Sequence, residues 1–209
     1  MRRRITIVLI IVIALVLLGV TTMMAMLRNG FSALDEPSAI EAFVATTMRR
    51  YAVPADLKDT KNPLPLTAEI LAEGRAHFAD HCATCHGNDG KGKTAMGPNF
   101  YPAVPDLTLP ATQSQSDGAL FATIENGIRL TAMPAFGGGT ASSAYGSWGL
   151  VHFIRHLPKV TPEELTEMRK LNPKSPEEWE LARQEEAFLA GEGEAPPPAA
   201  SHDATPHRH

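Results

Sequence analysis

Cysteine is nearly missing from this chain. It has two among 209 residues, Cys82 and Cys85. That excludes a disulfide framework and leaves no second pair to complete a four-cysteine zinc site. Basic clusters are missing too, beyond the extreme N-terminus. With Lys+Arg 19 against Asp+Glu 23 and a formal net charge of −4, there is no electrostatic footprint for nucleic acid. No run alternates apolar and polar residues over a useful length, and nothing repeats, so a sheet has little to be built from. No nucleophile–base pair, phosphate loop or carboxylate dyad stands out, and no small-molecule substrate is expected. The soluble part is expected to be all-α.

What is present is unevenly distributed. Ile5 to Leu27 is apolar and uncharged, and follows Arg2, Arg3 and Arg4. As a helix at about 1.5 Å per residue the run spans roughly 35 Å, enough to cross a bilayer. No face of it is polar, which disfavours a buried soluble helix. It outruns a secretory apolar region of about 7–15 residues, and Gly30-Phe31-Ser32 is a poor cleavage site. An uncleaved anchor over residues 1–27 is therefore expected, with the arginines inside. The rest of the chain would then lie on the periplasmic or outer face of a bacterial inner membrane, held by a single pass.

Residues 28–65 look like a spacer with one short helix, opened by a capping box from Ser38 to Glu41. Ile40, Phe43, Val44 and Met48 would give that helix an apolar face, to pack on the following domain or to rest on a membrane or partner. Thr67 opens the next helix, which runs into Cys82. Gly87 to Thr112 is rich in Gly, Pro, Asn and Asp and is expected to be ordered loop. Leu120, Ile124 and Ile128 mark a helix from Ser116 or Asp117 to Asn126-Gly127. The last core helix carries Trp148, Val151, Ile154 and Leu157 and stops at Pro158. Thr161-Pro162 and Ser175-Pro176 each start a further acidic helix, giving an extension over 159–190. Residues 191–209 have the composition of a disordered tail; its His202, His207 and His209 suit metal ions by chemistry, but a solvated tail explains them as well.

The chemistry sits in Cys82-Ala83-Thr84-Cys85-His86. Two thiols three residues apart reach the two vinyl groups of a haem, and the next residue offers its imidazole to the iron; this is the attachment pattern for haem c. A redox-active cysteine pair would want a βαβ context, which is lacking. One motif implies one covalent haem. Met133, in the loop Thr131-Ala132-Met133-Pro134-Ala135-Phe136, is the expected sixth ligand, since a methionine there has little reason to fill a core. Met96 lies too close after the motif, Met168 falls beyond the core, and His152 and His156 sit on the last helix, where ordinary packing explains them.

Residues Leu66 to Pro158 resemble a class I cytochrome c of the broad bacterial single-haem branch. The matching pieces are Cys82 to Gly87, Asn88 to Gly92, Met96 to Phe100, Met133 to Phe136 and Trp148 to Leu157. The resemblance implies a cytochrome c fold over 66–158, with the first and last helices crossing at Gly74 and Phe78 against Leu150 and Phe153. It also implies that the Pro98 carbonyl accepts the Nδ1 hydrogen of His86. One departure is the shortage of lysines: Lys91, Lys93, Arg75, Arg129 and Arg155 stand against Glu69, Glu73, Asp80, Asp89, Asp106, Asp117 and Glu125, so steering to an acidic partner is not implied. The expected function is one-electron transfer between redox proteins at the membrane, as a non-enzymatic carrier. The alternatives are a fixed subunit of a larger oxidoreductase complex and a haem enzyme or gas sensor; Met133 argues against the last.

Overall fold

The computed structural model describes residues 2–29 and 32–191. Among them every regular element is helical. The first, α1 (Arg2–Asn29), is exposed along its described length, and Arg2–Ala25 has a mean hydropathy of 3.0. It is long and apolar enough to cross a membrane. Thr6, Thr21 and Thr22 donate back to the carbonyls of Arg2, Leu17 and Leu18, so its few hydroxyls are satisfied within the helix.

The second helix, α2 (Ala39–Ala52), starts with the expected capping box: Ser38 Oγ accepts from the Glu41 N–H, and Glu41 accepts from the Ser38 N–H at 2.8 Å. Its apolar face does not pack. Ile40, Phe43 and Met48 are 76%, 71% and 67% exposed, while residues on another side of the helix border a cavity of the domain. The spacer expected up to residue 65 ends earlier than that. The Gly118 N–H donates to the Thr60 carbonyl at 3.0 Å, Ser116 Oγ to that of Lys58 at 2.5 Å, and the Asn62 side chain to that of Trp148 at 2.8 Å. A Cβ at Gly118 would lie 1.8 Å from the Leu57 carbonyl oxygen, so only glycine admits this approach.

The core is built on a crossing. Helix α3 (Ala68–His77) meets a long later helix, α7, at Gly74, where a Cβ would sit 2.3 Å from the Gly149 carbonyl oxygen. The Phe78 and Phe153 rings pack beside it, 5.2 Å apart and both buried. This is the crossing implied by the cytochrome resemblance. The chain then forms α4 (Ala83–His86), a long loop, and α5 (Pro110–Gln113), a short helix within a stretch expected to be loop. Pro110 at the first helical position starts α5, and four residues are too few to show a period. Helix α6 (Asp117–Asn126) buries Leu120 and Ile124 and stacks Phe121 on Trp148 at 4.1 Å. Its partner α7 (Ala141–His156) ends in a single 3-10 turn over Leu157–Lys159. Arg155 ties the two together through Asp117 at 2.8 Å and the Gln113 carbonyl at 2.6 Å.

Helix α8 (Pro162–Leu171) corrects one expectation. Met168 does not fall beyond the core; it is fully buried within it. Leu165 and Met168 share a face one turn apart, and Glu164 fastens the helix to Arg75 at 3.1 Å and His156 at 2.9 Å. The extension expected as one segment therefore divides: the first compact unit runs to Leu171, and a second begins at Asn172 and holds α9 (Pro176–Leu189). The weak cleavage site at Gly30-Phe31, and the tail from residue 192 with His202, His207 and His209, lie outside the described residues.

Candidate cofactor site

The cysteine motif does not sit on one regular helix. Phe78–Cys82 forms a π-turn, in which the Ala83 N–H donates to the Phe78 carbonyl, before α4 resumes. Such turns absorb one extra residue and recur at functional sites. Here Phe78 and Ala79 stay buried while Cys82, Cys85 and His86 line a cavity. Gly87, at φ +73, ends α4. The loop beyond then folds back on the motif, with the Gly92 N–H donating to the His86 carbonyl at 2.7 Å and Thr94 Oγ1 to that of Cys85 at 3.2 Å.

The cavity measures about 590 Å³. That lies within the roughly 300–1,000 Å³ typical of cofactor and ligand sites. Its apolar walls come from Phe78, Leu107, Leu120, Ile124, Leu150 and Ile154, and Met133 lines it together with the three motif residues. The competing ligands do not line it. Met96 is 46% exposed on the surface, Met168 is in the core, His152 Nε2 lies 3.0 Å from the Leu64 carbonyl oxygen, and His156 pairs with Glu164. His81 does line the cavity, next to Cys82, and was not singled out from sequence; it is engaged by Asp80 at 3.3 Å and by the His77 ring at 4.8 Å.

Met133 is held by the end of α6. The Ile128 N–H donates to its carbonyl at 3.1 Å, and its own N–H donates to Thr131 Oγ1 at 3.1 Å. Gly127 lets the loop close in: φ is +63, and a Cβ there would meet the Pro134 carbonyl carbon at 2.6 Å. Further on, the Phe136 and Gly137 N–H groups donate to the Ile124 and Glu125 carbonyls, both at 3.0 Å.

Burial pushes the His86 imidazole below its usual pKa, and the Pro105 carbonyl opposes this only in part. The ring is therefore neutral at physiological pH, as metal ligation requires. Nδ1 is buried without a hydrogen-bond partner of good geometry among the described residues. The Pro98 carbonyl, expected to accept from Nδ1, makes no such bond here. Pro98 lies exposed in a 3-10 turn over Gly97–Asn99 and does not line the cavity, whereas Pro105 does. Both prolines follow the motif in one loop, and nothing in their spacing chose between them. The Cys82 thiol is pushed up to about 12, first by burial and then by Cys85. A thiol kept neutral is a poor metal ligand.

An apolar slot with two thiols, a neutral imidazole whose Nδ1 lacks a partner and a thioether fits a haem. Residues 69–154 match the family described as cytochrome c oxidase, cbb3-type, subunit III. Residues 69–154 are a class I c-type cytochrome domain. The cytochrome domain makes this a haem c electron-transfer protein, working as a carrier or as an oxidase subunit among redox partners. It spans α3 to α7 almost entirely, and leaves α1, α2, α8 and α9 outside the match.

Proposed function

We propose that this protein is a membrane-held electron carrier with one haem c, bonded covalently at Cys82 and Cys85 and ligated by His86 and Met133. The reading rests on the presence of all four side chains on one apolar cavity. The bound group would supply a one-electron iron couple, and His/Met ligation raises its potential. His86 presents Nε2 while the Pro105 carbonyl faces the ring and sets its orientation. Met133 is held in place by Gly127, Ile128 and Thr131. The apolar walls exclude water and so favour the form of lower charge. Helix α1 anchors the chain by a single pass in a bacterial inner membrane, with the cytochrome domain on the periplasmic face. Redox proteins serve as electron donor and acceptor.

The family match favours a second reading, a fixed haem subunit of a larger membrane oxidase. Mild detergent extraction separates the two: a carrier leaves the membrane alone, a subunit with stoichiometric partners.

The test of the main reading uses the full chain made in a host that matures c-type cytochromes. The haem is expected to stay with the polypeptide on a denaturing gel at one iron per chain, in membranes that keep it through a high-salt wash. Haem that extracts into acidic organic solvent, or iron well above one per chain, would overturn the covalent single site. A soluble product beginning near Ala33 would overturn the anchor.

A further inference from the structure

Helix α2 precedes the segment that matches the cytochrome family, yet it forms part of the cavity wall through Glu41, Ala42, Ala45, Thr46 and Arg49. Glu41, Ala45 and Arg49 recur every fourth residue, so one stripe of the helix faces inward. The helix is fastened on this side, since the Tyr101 hydroxyl donates to Glu41 Oε1 at 3.3 Å and Tyr101 lines the same cavity.

Among the described residues Arg49 is the sole lysine or arginine on that wall, and it is half-buried. Among the described residues it forms no ion pair, whereas the arginines that serve the fold, Arg75 and Arg155, each hold a carboxylate. A cation in the last turn of a helix suits the helix dipole, but that applies equally to Arg50, which is exposed and does not line the cavity. The difference between the two is the side they face. A haem carries two propionate carboxylates on the edge away from its vinyl groups. A carboxylate brought into a partly dry site requires a partner, and a guanidinium offers two parallel donors to it. Glu41, the other charged group of the stripe, is already engaged by Ser38 and Tyr101.

We propose that α2 completes the haem site from outside the cytochrome domain, with Arg49 as the ion partner of a haem propionate. This rests on the haem reading given under Proposed function. The experiment compares the full-length haem protein with Arg49→Gln, Arg49→Lys and Arg50→Gln, reading haem loading, midpoint potential and the propionate bending band in resonance Raman. Arg49→Gln is expected to keep its covalent haem, to lower the potential, because a positive charge beside the ferric form is lost, and to shift the propionate band. Arg49→Lys should recover part of both changes, and Arg50→Gln should leave both unmoved. Loss of haem in Arg49→Gln with full loading in Arg49→Lys would support the same charge pairing. Unchanged potential and band in haem-loaded Arg49→Gln, or equal changes in Arg50→Gln, would overturn the role of Arg49 alone. A wild-type chain that binds no haem would overturn the reading of the cavity itself, and Arg49 with it.

Discussion

Met133 sits where carrier and enzyme part ways. If its sulfur held the haem iron as proposed, no vacancy would be left there for a substrate. Met133→Ala is expected to abolish the weak red charge-transfer band of the ferric protein, to lower the potential and to admit carbon monoxide or cyanide. Absorption spectra and potentiometry check this, and an unchanged spectrum would send the search to another ligand. Cys82, Cys85, His86 and Met133, singled out in the sequence by residue type and loop composition, come together on one cavity in the fold. The carbonyl beside His86 was not legible in the sequence. Every residue carries a carbonyl, so its choice depends on how the loop folds, and the fold lines the cavity with Pro105 rather than Pro98.

At the scale of elements, the crossing of α3 and α7 allows no side chain at Gly74. Gly74→Ala is expected to cost about 3 kcal/mol or more, because the obstacle is backbone that has nowhere to go. A urea titration of the haem-loaded protein reads this directly. Helix α8 offers a pH-dependent joint. Burial pushes the Glu164 carboxyl up, but the His156 hydrogen bond, the Thr161 N–H and Arg75 outweigh it and hold the group below its ordinary value of 4.5. A carboxyl depressed in the folded state contributes stability above its unfolded value and loses it as the pH falls through the folded one. Glu164→Gln, which keeps the helix cap, is expected to cost about 1–2 kcal/mol at neutral pH. The gap to the wild type should narrow as the pH falls below about 4.5, as denaturation curves at several pH values would show. Helix starts such as Ser38, Thr67, Ser116 and Ser175 were legible because a cap is a local event. The π-turn at Phe78–Cys82 and the place of α2 beside the cavity were not, since both answer to the cavity they border.

At the scale of the whole molecule, the cytochrome domain is larger than its motifs. Residues 57–62 dock against α6 and α7, and α8 buries Met168, so the fold recruits chain on both flanks of the matched segment. The sequence offered no sign of this: one flank has the composition of a linker, and a lone methionine in an acidic helix carries no period. Because α3 and α7 meet at Gly74 and Gly149, one wall of the pocket comes from a helix made well after the cysteine motif. Closing so long a stretch of chain is entropically slow, and contacts distant in sequence form late. Cys82, Cys85 and His86 are made first and stay reachable until α7 arrives. A chain ending at Thr140 is therefore expected to acquire haem covalently and yet to lack a cooperative unfolding transition, with haem staining and denaturant titration as the two readouts. Topology would then act as a clock, leaving the cysteine motif open to a haem until α7 has docked.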